Sequence, residues 1–434
     1  MTDALNETDE SVVGVGVDFG TSNSVIGLLR ADGSVRFVKF ADRGRLFTTL
    51  PTLLCLSPGE DPAHRGARRV AGFAAIEEYL ADPSRSRLLQ SLKTHLGARS
   101  FDQTQVGADS FDLSQLIAAF LEGLFQQAGM TPHALRVPVV CGRPVKFAGT
   151  DPDDSLAEAR LRQAYELAGL RAPAIRTEAE AAAYAYSRTG RGNQLALIAD
   201  LGGGTSDFSV VRITGESLPR LIEPLSQIGI GVAGDTFDAR IVEHVLAPML
   251  GLSGQFRPQD KWLPMPNWIA WEVARRHRIA SLRTPKILRQ LRDIGSKCDQ
   301  PEAFAGLVHI VAQGLGYQLF AAISALKVSL SLTDQAIVSF HNGPVHIERD
   351  VSRADFETWI SADIDAIEGA ADQAIKQAGV EPTKVSAVFL TGGSSLVPLV
   401  QARFKNKFPS AVFALNDSFS SVAQGLALMS AKYR

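Results

Sequence analysis

The stretch that decides the fold is Leu197-Ile198-Ala199-Asp200-Leu201-Gly202-Gly203-Gly204-Thr205-Ser206-Asp207. An apolar run ends on an aspartate, three glycines follow, and then come two hydroxyl side chains and a second aspartate. A second apolar run, Phe208 to Ile213, comes straight after. Apolar runs on both sides of a glycine turn predict a buried β-hairpin. Glycines at its tip let backbone N–H groups approach a ligand with no Cβ in the way. Successive N–H groups in such a turn form an anion nest that suits phosphate. An aspartate at the strand end offers hard oxygen donors of the kind that hold hydrated Mg2+.

The pattern occurs again near the N-terminus. Val12-Val13-Gly14-Val15-Gly16-Val17-Asp18 reads as a buried strand ending on an acid, Phe19-Gly20-Thr21-Ser22-Asn23 as the turn, and Ser24 to Arg30 as the returning strand. A repeated unit of this kind predicts duplicated α/β lobes. A third glycine turn, Thr391-Gly392-Gly393-Ser394-Ser395, follows the apolar run Val385 to Leu390 and opens a helix. Glycine turns at strand ends gather ligands along the carboxyl edge of a sheet. A turn that opens a helix suits the nucleoside end of a nucleotide.

Two familiar phosphate motifs do not apply. GxxxxGK[ST] is absent, so the chain is not a P-loop ATPase. Gly229-Ile230-Gly231-Val232-Ala233-Gly234 matches GxGxxG, but the acid that motif needs at the end of a following strand is missing, because Glu243 falls within a predicted helix from Asp235 to Leu250. We read it as a turn whose glycines approach the nucleotide.

Composition narrows the class further. A chain of 434 residues, 45% hydrophobic and 21% charged, is ordinary for a globular protein and long enough for about two or three domains. A net charge of −2 gives no bulk attraction to nucleic acid or an anionic membrane. Cys55, Cys141 and Cys298 are scattered with no CxxC spacing, which argues against a disulfide framework and a zinc knuckle. The eight histidines form no HExxH pair. No apolar run reaches the length of a membrane span, and residues 1–11 read as a short disordered tail without the features of a signal peptide. The expected address is cytoplasmic. Gln255 to Gln300 carries Trp262, Trp268 and Trp271 among many arginines. Such a mixture can stack nucleic acid, but amphipathic helices with arginines outside are the expectation.

The three turns, in this order and spacing, resemble those of the sugar kinase/actin/heat-shock ATPase superfamily. Over about residues 12–430 the chain is most similar to the nucleotide-binding domain of the seventy-kilodalton heat-shock chaperones, the DnaK family, and closest to its short YegD-type members. Ser91-Leu92-Lys93-Thr94-His95-Leu96-Gly97-Ala98, Cys141-Gly142-Arg143-Pro144-Val145-Lys146-Phe147 and Phe419-Ser420-Ser421-Val422-Ala423-Gln424-Gly425-Leu426-Ala427 carry the resemblance further. It implies a two-lobed, α/β actin-like ATPase fold of duplicated ribonuclease-H-like domains with a deep central nucleotide cleft. Lobe I would span 12–189 and lobe II 190–434, the latter with a helical subdomain at about 235–350.

The resemblance also implies ATP or ADP with Mg2+ as ligands. Asp18 and Asp200 would flank the ion, mostly through water, with Glu178 helping to hold the metal site. Gly20, Thr21, Ser22 and Asn23 would hold phosphates from one lobe, and Gly202, Gly203, Gly204 and Thr205 from the other. Lys93 matches the family's catalytic lysine, which stabilises charge on the transferred phosphoryl and orients the attacking water. With it, Asp18, Glu178, Asp200 and Thr205 make up the expected catalytic set. Pro138 matches a proline that relays nucleotide state. Gly234 and Asp235 would border the nucleotide, Lys327 would lie near the ribose, and Gly392, Gly393 and Ser394 would form the adenosine turn.

Departures from the family qualify these roles. A proline and a threonine after the position of Glu178 are replaced by Ala179 and Glu180. A glutamate and an arginine flanking the position of Lys327 are replaced by Ser324 and Val328, and the arginine that stacks on adenine by Leu396. Adenine recognition is therefore expected to be built differently. The sequence ends at Arg434, where a full chaperone continues into a linker, a β-sandwich and a helical lid, so no peptide-binding domain of its own is expected. The expected function is slow, Mg-dependent ATP hydrolysis that drives lobe closure on an unknown protein partner or client. The alternatives are a small-molecule kinase, a filament-forming actin-like protein and a non-hydrolysing nucleotide sensor.

Overall fold

The computed structural model describes residues 11–58, 66–100, 103–106, 109–149, 151–189, 192–215, 220–415 and 420–433. Residues 1–10 of the expected tail, Phe419, Arg434 and residues 190–191 at the expected lobe boundary lie outside them.

The valine-rich run at the N-terminus forms strand β1 (Val12–Phe19), which turns back into β2 (Asn23–Arg30) and then β3 (Val35–Phe37). Further along the chain, β4 (Val139–Arg143) and β5 (Ala174–Thr177) join the same sheet. Its order is β5-β4-β1-β2-β3, parallel from β5 to β1 and antiparallel from β1 to β3. The glycine-turn stretch forms β6 (Gln194–Leu201) and β7 (Ser206–Thr214), followed by β8 (Leu221–Ile230). Strands β9 (Ala387–Thr391) and β10 (Val412–Leu415) complete the second sheet. Its order is β8-β7-β6-β9-β10, antiparallel from β8 to β6 and parallel from β6 to β10. Strand order and strand direction are the same in both sheets. The sequence repeat is thus a repeat of topology, and the fold is the duplicated α/β arrangement of the actin-like ATPases.

Side chains of β1, β6 and β9 are buried on both faces, which explains their near-continuous apolar runs. One face of the first sheet packs on helices α1 (Leu113–Gln127) and α2 (Asp154–Leu167). Asp112 and Gln115 cap the start of α1 reciprocally, and the Asp153 carboxylate caps α2. Phe19 meets Phe120 with ring centroids 5.7 Å apart. Helices α3 (Glu178–Ser187) and α4 (Ser421–Met429) pack against each other; α4 lies on the first sheet and α3 touches both. Ala181, Ala182 and Leu426 share one core with Val140 of the first sheet and with Ile198, Val211 and Phe389 of the second. The contact is backbone to backbone: a Cβ on Gly425 would strike the Ala181 carbonyl, and one on Gly16 would strike the Ala427 nitrogen. The alanines and glycines of these helices are therefore a packing requirement.

The described chain divides into two compact units. The first comprises Met1–Ala233, Ala366–Leu396 and Val400–Arg434, and the second Gly234–Asp365 with Val397–Leu399. The second is mainly helical. Gly234–Ile241 runs through a π-helical stretch, Val242–Leu246, and Asn267–Val273, Pro285–Gly295, Pro301–Ala312 and Gly316–Leu332 follow. It also holds the hairpin Gln335–Asn342/Val345–Ser352, with Gly343 at φ +55° in the turn. The half-exposed Trp271 ring is attended by the chain's own arginines, Arg275 and Arg278, whose guanidinium carbons lie 4.1 Å and 4.2 Å from the ring centroid. Among the described residues no single helix is long and apolar enough to cross a membrane. Pro301–Ala312 and Gly316–Leu332 pass that test only together, and they are bent by 109°.

In two places the structure differs from what local sequence favours. Residues 85–96 have helix-forming side chains, yet Arg87–Gln90 is a strand paired with Leu53–Ser57, and Leu92–His95 is a 3-10 turn. Ser91, at φ +53°, makes the break between them. The edge strand β8 was hidden because its residues, all exposed or half-buried except Ser226, show no alternation, and because Pro224 sits beside an irregularity in the pairing.

Candidate functional site

Both glycine turns lie in the first unit, and they meet. At the first tip a Cβ on Gly20 would collide with the Asn23 carbonyl, so the turn requires glycine. The Ser22 carbonyl accepts from the Thr52 N–H at 2.8 Å, and the Ser24 and Thr52 hydroxyls bond at 2.9 Å. At the second tip Gly202 N–H donates to the Thr205 carbonyl at 3.0 Å. A Cβ on Gly204 would stand 3.1 Å from Thr21 Oγ1, so the two tips approach closely. The third turn packs onto the second. Ser394 Oγ donates to the Gly202 carbonyl at 2.8 Å, and Gly392, at φ +80°, leaves no room for a Cβ against Leu201.

Charged side chains gather at the strand ends behind these tips. Asp18 and Asp200 are the last but one residues of β1 and β6, and Asp207 lies directly opposite Asp200 in the hairpin register. Glu178 opens α3, where Thr177 caps the helix. Lys93 comes from the 3-10 turn after Ser91 and forms an ion pair with Glu178. Lys93, Glu178, Asp200 and Asp207 are only 5%, 6%, 8% and 1% exposed. Burial raises the carboxyl of Asp18 to about 7, with repulsion from Glu178 adding to it and Lys93 opposing it. Burial and then Glu178 likewise lift Asp207 to about 7, against hydrogen bonds from the Thr205 side chain and the Val145 N–H. Asp200 is pushed well up by burial and by Glu178, Asp18 and Asp207. Burial disfavours the charge on Lys93, but Glu178 and Asp18 outweigh it and hold the ammonium protonated.

Four carboxylates therefore share one lysine in a buried setting. This excess of negative charge, all of it on oxygen, fits a hard divalent cation such as Mg2+. Among the described residues no three His, Cys, Asp or Glu side chains converge closely enough to ligate an ion directly. Asp207 had no role in the sequence reading. Its signal was an acid within an apolar strand, set opposite another acid by the register.

The remaining expected residues divide between the units. Gly392, Gly393 and Ser394 lie in the first. Gly234, Asp235 and Lys327 lie in the second, where Lys327 Nζ donates to the Gly234 carbonyl at 3.1 Å and pairs with Asp238 at 2.6 Å. Arg276 reaches Asp238 at 3.0 Å and Ser324 Oγ at 2.7 Å. Asp238 and Arg276 had escaped notice: one is a buried acid a helical turn beyond Asp235, the other is one arginine among many. Gly229 is not an open phosphate turn, since a Cβ there would meet Asp207 Oδ1 at 2.6 Å and Lys146 N at 2.8 Å. Pro138 precedes β4, and its carbonyl accepts from the Val15 N–H at 3.0 Å.

A family model described as Hsp70 protein matches residues 153–251 and 316–432, which include the second and third turns but not the first hairpin or Lys93. Chaperone protein DnaK of Thermotoga neapolitana is 24% identical over 420 residues, covering 96% of this chain and 59% of that protein. Chaperone protein DnaK of Thermosipho africanus is 25% identical over 399 residues, covering 91% and 54%. The chain thus spans between half and three fifths of the length of these curated relatives.

Proposed function

The chain belongs to the Hsp70 family, matching its nucleotide-binding domain, and from that premise we propose that it binds ATP, hydrolyses it slowly, and acts on a protein partner through the difference between its ATP and ADP forms. We read it as lobe I, 12–189, and lobe II, 190–434, with a helical part at about 235–350, each lobe bringing one phosphate hairpin. The observation that carries this reading is the meeting of the two glycine turns, Thr21 against Gly204, at strands that close on the half-buried Asp18 and the buried Asp200.

In this mechanism the N–H groups and hydroxyls of Gly20 to Asn23 and of Gly202 to Thr205 hold the phosphates from two sides. Asp18, Asp200 and Glu178 would hold a hydrated Mg2+, which when bound offsets phosphate charge. Lys93, kept protonated by its acidic neighbours, stabilises charge on the transferred phosphoryl and orients the attacking water. Catalysis is then positioning and electrostatics, with no covalent intermediate. Gly392, Gly393 and Ser394 receive the nucleoside; Leu396, exposed in the third turn, cannot stack as an arginine would.

Single-turnover phosphate release from Mg-ATP tests this. Lys93→Ala is expected to slow release about a hundredfold while Mg-ATP still binds, both measured below the melting midpoint of the variant. Release as fast as wild type removes Lys93 from the mechanism. Binding without release above the variant's rate, in the wild type itself, makes the chain a nucleotide sensor.

A further inference from the structure

We propose that the outward face of the hairpin Gln335–Asn342/Val345–Ser352 binds a divalent transition-metal ion through Nδ1 of His341 and Nδ1 of His346. The site is in the second unit and does not depend on the nucleotide reading.

The register makes the pair. His341 and His346 are direct cross-strand partners, the last but one before the Asn342-Gly343 turn. Strand alternation sends Val338, Phe340, Val345 and Ile347 into the core and puts Ser339, His341, His346 and Glu348 outside. Both imidazoles are exposed, so ions reach them from solvent. Their rings are 5.5 Å apart and tilted by 50°, with the two Nδ1 atoms 3.3 Å from each other. Two nitrogens bound to one tetrahedral zinc at about 2.0–2.1 Å each must lie about 3.3–3.4 Å apart. The hairpin holds them at that separation before any ion arrives.

The tautomers also suit an ion. Glu348 Oε2 stands 3.8 Å from Nε2 of His341, the nitrogen that faces away from His346. A carboxylate on that side favours the proton on Nε2 and leaves the Nδ1 lone pair free for a metal, as in the carboxylate–histidine pairs that support metal ligands. Without an ion, one Nδ1–H donates to the other Nδ1. On binding, that proton moves to Nε2 of the same ring and both Nδ1 lone pairs go to the metal. Among the described residues no three His, Cys, Asp or Glu side chains converge on one ion, so water fills the other positions. Imidazole donors with open water positions suit Zn2+, Cu2+ and Ni2+ and not Mg2+ or Ca2+.

The test uses the full chain in excess Mg2+, titrated with Zn2+ by calorimetry and loaded with Cu2+ for electron paramagnetic resonance. The expected result is uptake of one ion per chain, with a Cu2+ spectrum split by two imidazole nitrogens. His341→Asn and His346→Asn should each abolish the two-nitrogen spectrum. Glu348→Gln should keep that spectrum but weaken uptake by about tenfold. Ser339→His adds an imidazole on the same face, removes no ligand, and should tighten uptake. No stoichiometric uptake by the wild type, or equal uptake by the double His341→Asn/His346→Asn variant, overturns the proposal.

Discussion

Asp207 faces Asp200 across the hairpin, and burial, with repulsion from Glu178 adding to it, makes Asp207 sensitive to pH. The folded Asp207 carboxyl sits at about 7 against an ordinary 3.8, so it holds its proton more tightly folded than unfolded. Its contribution to stability is complete below about 3.8 and disappears as pH rises through about 7. The ligand-free chain should therefore lose melting temperature between about pH 4 and about pH 7. Asp207→Asn should flatten that slope and raise the midpoint at the upper end, as thermal melts across the range will show. Lys93 makes the opposite case. Removing the ammonium leaves buried acids unbalanced, and Lys93→Ala should cost about 3 kcal/mol of unfolding free energy by denaturant titration. At this scale the strand-end acids Asp18 and Asp200 were legible because an acid closing an apolar run is conspicuous. The burial of Lys93 was not, because a lysine in a short polar turn looks the same whether it faces solvent or an interior of carboxylates.

Among the elements, the turns were more legible than the segments between them. Glycine at a forced positive φ, as at Gly392, is written directly into the sequence. Gly392→Ala would set a Cβ against the Leu201 carbonyl and a left-handed backbone; the expected cost is about 1–3 kcal/mol, with weaker nucleotide binding, checked by melting and by equilibrium titration with ATP. The stretch before Lys93 misled for a physical reason. Arg87–Gln90 has helix-forming residues, but pairing with Leu53–Ser57 decides its conformation, and tertiary pairing overrides local propensity. Strand β8 was missed because an edge strand buries too little to impose alternation. The paired histidines were invisible for a related reason. HNGPVH shows a good turn, but only the register reveals that its two ends touch.

For the molecule as a whole, the repeat of an acid-ended strand and glycine turn was enough to foresee two like sheets, because the repeated unit is the part that fixes strand order. What the repeat could not reveal was how α3 and α4 join those sheets, since alanine-rich helices have weak sequence patterns of their own. Gly425→Leu tests the junction. The side chain would enter the space of the Ala181 backbone, and the expected destabilisation is about 3 kcal/mol, seen as a lower midpoint in thermal melts while exposed substitutions on α1 leave it unchanged. The same contact has a mechanical consequence. Alanine and glycine have no rotamers to exchange, so a displacement at the Ala181–Gly425 contact cannot be absorbed by side-chain repacking there. A shift of one helix along the other at that point is a sliding of backbone on backbone, with little side-chain entropy at stake.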